Sequence, residues 1–305
     1  MAVYEQAYRR YTGPLTPEWS RFLIIARHAY RAVFSFKLFT AFFLICFLPL
    51  LVEAILIYLH HNINAISILQ IDVRGLVPID AYFFQTFINI QGGFAFFVAL
   101  LVGPPLVSRD LRNNALPLYL CRPFSRTEYV LGKMSVILIL ISAMTWVPQL
   151  LLFLFQSYLE GYAWFKDNAW MISAIVLGGA VWALLLALLT QTISALVKWR
   201  VVASGVLLGI FFIPTVFGAF VNEVFRTHWG NVISLGALIK NVTAGLFGTF
   251  DRAADVVTFR DLQNGLITEI RLEPPLWCSW AVLFLICAIC LALLSWKVKA
   301  YEVVR

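Results

Sequence analysis

The sequence predicts an all-α fold: a polytopic membrane protein with six transmembrane helices. Two observations carry that prediction. Of the 305 residues, 61% are hydrophobic and only 13% are Asp, Glu, Lys or Arg, and the mean hydropathy is +0.85. A soluble domain is about 25% charged, and a chain this apolar lacks the polar residues to cover a globule in water. The apolar residues also fall into long uncharged runs, not alternating strands, which excludes a β-barrel. Composition therefore rules out a soluble enzyme, a disordered chain, a coiled coil and a secreted disulfide scaffold.

In chain order, the first element is an N-terminal amphipathic helix. Thr16-Pro17-Glu18 supplies an N-cap, a first-turn proline and an acid on the positive dipole end. Trp19, Phe22, Leu23, Ala26, Tyr30, Val33 and Phe34 then recur at helical spacing, with Arg21, Arg27, His28 and Arg31 on much of the remainder. Such a helix lies in the membrane surface, either as an anchor or as a docking face. Six runs long enough to cross a bilayer follow at 39–59, 83–107, 135–158, 170–189, 201–220 and 277–296. The first begins too late and is too long for a signal peptide, so it is expected to double as the targeting element. No repeat or low-complexity linker divides the chain, which reads as a single domain over 1–305. Its parts are a tail and interfacial helix at 1–37, spans one to five at 38–220, an extracytoplasmic region at 221–276, and span six with its tail at 277–305.

Orientation follows from the basic residues. Both tails and the second and fourth connections hold sixteen Lys and Arg, and the other three connections hold seven. The positive-inside rule places both termini in the cytoplasm. The net charge of +7 is explained by this retention, so no nucleic-acid partner is implied; membrane lipids are. The second connection reads as a short amphipathic helix carrying Leu111, Ala115 and Leu118, a break at Arg122-Pro123, and a new helix capped at Ser125 with Glu128 completing a capping box. That shape suits either a soluble partner or an ordinary basic loop.

The polar residues inside the spans are few. Gln85 and Asn89 share a face of the second span, and Ser142, Thr145, Gln149 and Gln156 share one in the third. Amides in lipid turn toward the bundle interior or water, either lining a translocation path or bonding neighbouring helices. Gly205 and Gly209 form a GxxxG in the fifth span, a candidate dimer seam. Glu53 is the one charged residue in a span, about 21 Å beyond its start; it either binds a cation or proton or reaches the outer headgroups. Residues 231–250, with Gly236, Gly245 and Gly248, are apolar enough to dip back into the membrane as a re-entrant or interfacial pair. Cys287-x-x-Cys290 sits mid-span with no His or carboxylate beside it and reads as packing, not as a metal site. No cluster of Ser, His and Asp marks a catalytic centre.

The run Arg109-Asp110-x-Arg112-x-x-Ala115-Leu116, then Leu120-x-Arg122-Pro123-x-Ser125-Arg126, then Leu131-Gly132-Lys133 resembles the cytoplasmic signature of ABC transporter type-2 permeases. The topology of six spans and the preceding interfacial helix resemble that family as well. The sequence departs from its pattern in Asp110, where Glu is commoner, and in Asn114-Ala115, where a Gly-Thr step is commoner. The resemblance implies a permease of an export-type transporter in the bacterial inner membrane. Arg109, Asp110, Leu111, Arg112, Leu116, Arg122 and Arg126 would couple to the ATPase, and Gln85, Asn89, Gln149 and Gln156 would lie on the path. It also implies a second permease and two ATP-binding-cassette subunits that use ATP and Mg. The chain carries no G-x-x-x-x-G-K-[ST] loop of its own: Gly132-Lys133 is followed by Met134, and position 127 is Thr. No cofactor bound by this chain is implied. The competing readings are a membrane enzyme acting on lipid or lipid-linked substrates and a scaffold of a sensory system.

Overall fold

The computed structural model describes residues 21–62, 78–113, 126–253, 256–260, 267–271 and 273–297. Six of its segments are long and apolar enough to cross a membrane: Lys37–His61, Ala81–Ser108, Thr127–Glu160, Trp170–Leu196, Arg200–Phe225 and Leu276–Lys297. Each contains the run expected from hydropathy. Helix α1 (Arg21–Phe34) precedes them, and the residues expected to cap it, Thr16 to Glu18, lie outside the described residues.

The first and third spans are each two helices end to end. The first is α2 (Lys37–Ile45) and α3 (Leu48–His61), with Pro49 in the first turn of the latter. The third is α5 (Arg126–Met144) and α6 (Trp146–Glu160), with Pro148 three residues beyond the break at Thr145. Proline has no N–H and its ring clashes with the carbonyl four residues back, so a fresh start just before it is the low-cost solution. The second span, α4 (Ala81–Arg112), behaves differently: it contains Pro104 and Pro105 and stays helical through both. A short α7 (Tyr162–Asn168) leads into α8 (Trp170–Leu196), and α9 (Arg200–Phe225) is the fifth span.

Helix α8 is buried along most of its length and is the centre of the bundle. It runs beside α4 in the same direction, and the two approach closely where α4 has glycine: a Cβ at Gly92 would enter the indole of Trp182, and one at Gly103 would enter Thr190. With little hydrophobic drive between helices in lipid, such close backbone contact supplies the packing energy. One hydrophobic cluster joins all six spans, through Phe39, Ile88, Val136, Ile175, Ala203 and Leu283.

After α9 the chain turns back along the same helix. A 3₁₀ turn (Trp229–Ile233) and α10 (Leu235–Leu246) follow. The Gly230 N–H donates to Asn222 Oδ1 at 2.7 Å, and the Ser234 and Thr215 hydroxyls meet at 2.9 Å. Thr215 is ten residues before the end of α9, so the return reaches about 15 Å back down the helix. Part of the segment read as re-entrant or interfacial at 231–250 is thus bonded along α9. One helical turn, α11 (Phe250–Ala253), comes next. The same connection adds an element not expected from the sequence: an antiparallel hairpin of β1 (Val256–Arg260) and β2 (Ile267–Arg271), with Val256 opposite Arg271 and Arg260 opposite Ile267. Val256-Val-Thr-Phe and Ile267-Thr-Glu-Ile are rich in β-branched residues, which favour a pleated surface. Helix α12 (Leu276–Lys297) is the last span.

Candidate functional site

One end of the bundle gathers Arg27, Arg31, Lys37, Arg112, Lys198, Arg200 and Lys297, and most of the candidate coupling residues belong there. The span end expected at Val107 agrees with a membrane-spanning segment that closes at Ser108, but the separate amphipathic helix expected after it is corrected at its start: 109–112 continue α4 without interruption. Leu116 and Arg122, with Ala115 and Leu118, lie outside the described residues. For Arg109, Leu111 and Arg126 only the helical backbone is described. Ser125 also lies outside, and α5 begins one residue later at Arg126, where the restart was expected.

The helix survives its two prolines because neighbours satisfy the backbone groups they free. The carbonyl of Leu100, whose usual donor would be the missing N–H of Pro104, accepts from Ser204 Oγ of α9 at 3.4 Å. Ser194 of α8 enters the opened ladder. Its hydroxyl donates to Pro104 O at 2.6 Å and accepts from the N–H groups of Val107 at 3.1 Å and Ser108 at 2.9 Å. No local sequence signal marks Ser194 for this role.

Just beyond that insertion, Asp110 turns inward. Its Oδ2 lies 2.8 Å from Lys133 Nζ, with both side chains largely buried, and it accepts from the Tyr129 hydroxyl at 2.8 Å. Lys133 also sits 5.7 Å from the Tyr129 ring centroid. Asp110 and Lys133, the acid and the Gly-Lys lysine of the quoted motif, therefore join the ends of α4 and α5. Arg112, two residues on, points elsewhere: it is exposed, with its guanidinium 5.8 Å from the Trp199 ring.

Helix α1 completes this end. Ala26 is buried, and the Tyr30 hydroxyl donates to the backbone carbonyls of Val136 at 3.0 Å and Ser135 at 3.3 Å on α5. Burial pushes the Tyr30 phenol up to about 12. The helix is docked on the third span, with Arg27, His28 and Arg31 left exposed.

The amides inside the spans are tied to protein groups. Gln85 Oε1 accepts from Thr249 Oγ1, and Asn89 Oδ1 accepts from Thr243 Oγ1 at 3.1 Å; both link α4 to the α10 region. Gln149 Nε2 donates to Glu53 Oε1 at 2.5 Å. The expectation that Glu53 could reach the outer headgroups is overturned, since it is fully buried between the first and third spans. Gln156 Nε2 donates to Glu160 Oε2 at 3.5 Å, which also meets His61 Nε2 at 2.6 Å. Asn241, the first residue of a sequon, is buried and donates to Pro274 O and Ser279 Oγ, both at 2.7 Å. Not anticipated was Gln91: it is fully buried, and neither amide atom finds a partner among the described residues.

Helix α9 leaves one face uncovered. Val201, Phe212, Ile213, Val216 and Phe220 are exposed along it. Gly205 and Gly209 sit within that arc, with open space at the first and only the side chain of Ile213 near the second.

The chain matches the model of the ABC-2 family transporter proteins over residues 28–294. It belongs to that family. The match begins inside α1 and ends inside α12, so it takes in all six spans and the fold-back between the last two. As an ABC-2 permease the chain is a multi-pass membrane subunit of an ABC transporter, and the family works with an ABC ATPase. No curated protein matches it.

Proposed function

We propose that this ABC-2 family chain is the permease of an exporter in a bacterial inner membrane, with both termini cytoplasmic. ATP is hydrolysed with Mg in two copies of a separate ATPase subunit that engages the basic end. The observation that carries the reading is the construction of that end. Helix α4 runs unbroken past Pro104-Pro105 to Arg112, and Asp110 ties it to Lys133 at the start of the next span. A push on Arg109, Arg112 or Arg126 is then transmitted along two spans as one body, with Leu111, Leu116 and Arg122 completing the coupling surface.

A second permease, identical or related, pairs through the open face of α9, with Gly205 and Gly209 at the seam. In this reading Gln85, Asn89, Gln149 and Gln156 belong to the wall of the translocation path, and the first three are bonded across to neighbouring elements while the bundle is closed. The chain acts as a transport subunit without a nucleotide site of its own.

The test is co-purification of the full chain with the ATP-binding-cassette subunit encoded beside it. Scrambling 109–126 is expected to abolish co-elution while leaving the permease in the membrane. Cys121 should react with an impermeant thiol reagent only from the cytoplasmic side. Transport by the isolated chain with no nucleotide-hydrolysing partner would overturn the proposal.

A further inference from the structure

At the basic end, a cavity of about 520 Å³ is lined by Pro105, Ser108, Arg112, Asn113, Lys198 and Arg200. Its size falls in the range of small-molecule sites, about 300–1,000 Å³. Among the described residues that line it, three of six are cations and none is acidic. The nearest acid along α4, Asp110, is engaged with Lys133 and Tyr129, so it does not neutralise the cavity. The cations come from two separate pieces of chain: the end of α4, and the connection between α8 and α9. Trp199 lies between Lys198 and Arg200, is 69% exposed, and packs under Arg112, a cation–π contact that holds the guanidinium near the other two charges.

We infer that this cavity binds a phosphate group, the shared feature of an anionic phospholipid headgroup and free phosphate. Like charges drawn together around a concavity repel one another, and an anion removes that cost. Basic cavities between membrane helices are suited to lipid headgroups, and two features here favour the lipid as the source. The lining runs along α4 from Arg112 to Pro105, seven residues and so about 10 Å into the spanning part of the helix, within reach of a headgroup entering from the adjacent leaflet. Beside the cavity, Leu101, Leu196, Val201 and Val202 are exposed apolar side chains along which acyl chains can lie. A ligand held there bridges the end of the second span to Lys198 and Arg200 at the start of the fifth, close to where Ser194 joins the second span to the fourth. The inference goes beyond the transport reading and does not depend on any ATPase.

The test uses the purified full-length chain alone in detergent, with retained lipid measured by native mass spectrometry during titration with dioleoyl phosphatidylglycerol or dioleoyl phosphatidylcholine. At about 1 kcal/mol per basic residue near a phosphate, K198Q should weaken phosphatidylglycerol retention about fivefold and K198Q/R200Q about 30-fold. Phosphatidylcholine should be unaffected, as should the control K166Q at the opposite end. Size-exclusion profiles establish that each variant is folded, and the single variant serves if the double one is not. Displacement of the lipid by millimolar inorganic phosphate would support the phosphate site and assign it to a soluble anion; resistance to displacement assigns it to the lipid. Unchanged phosphatidylglycerol retention in folded K198Q and K198Q/R200Q would overturn the inference.

Discussion

The Asp110–Lys133 pair is where a single side chain decides whether the basic end is one body or two. At 2.8 Å between Nζ and Oδ2, an effective dielectric constant of about 20 gives a gross attraction of about 6 kcal/mol. Desolvation consumes much of it, and the measurable quantity is the cost of leaving one partner behind. Asp110→Asn takes the carboxylate away from both the buried lysine and the Tyr129 hydroxyl, a loss of about 3–5 kcal/mol. Lys133→Met leaves Asp110 with the Tyr129 hydroxyl bond and should cost somewhat less. The double variant removes both charges and should recover part of the loss, giving a coupling energy of about 2 kcal/mol or more. The assay is equilibrium unfolding of the full chain in mixed micelles, run as a complete double-mutant cycle. A single-variant cost below about 0.5 kcal/mol, or simple additivity in the double variant, would refute the idea that this pair clamps α4 to α5.

Four further outcomes follow from the contacts described above. Tyr30→Phe should remove a step in alkaline stability: the fold holds the phenol protonated to about pH 12, against 10.0 for a free one, so docking of α1 is fully supported below pH 10 and lost as pH rises from 10 to about 12. Fluorescence of a probe on α1 across that range should show the wild-type step and none in the variant. Ser194→Ala should destabilise the chain by about 1–2 kcal/mol, because two buried N–H groups lose their acceptor while the helix can only partly close its ladder; the same unfolding assay reads it, and no change would mean the prolines need no such support. Gly92→Ala should cost about 1–3 kcal/mol, as its methyl meets the Trp182 indole. Gly205→Leu with Gly209→Leu should leave monomer stability within about 0.5 kcal/mol and abolish self-association in single-molecule photobleaching.

Much of this site was legible before any coordinates, for a specific reason. The motif residues Asp110, Gly132 and Lys133 stand at fixed distances from two apolar runs, so their place at the ends of the second and third spans follows from the chain. What did not follow was direction. Asp110 was grouped with Arg109 and Arg112 as a partner-facing residue, yet one turn of the helix carries Arg112 outward and Asp110 in against Lys133. Reading the residues after Val107 as a separate short helix failed similarly. Pro104-Pro105 predicts a break wherever freed carbonyls have no other donor, and the donors here, Ser194 and Ser204, are about ninety and one hundred residues away in sequence. Glu53 was misplaced because nothing near it in the chain announces Gln149, 96 residues on.

The division has a physical basis. Crossing a bilayer is a property that residues contribute one at a time: length and hydropathy sum along the chain, and they sufficed for the six spans and the amphipathic helix before them. Polar pairing inside the bundle is a property of neighbours. It depends on which helices touch and how each is rotated about its axis, and a turn of 100° per residue separates an amide bonded to Thr249 from one in lipid. The partners of Gln85, Asn89 and Gln149, the splint at the proline pair and the three cations around one cavity exist only once the helices are assembled.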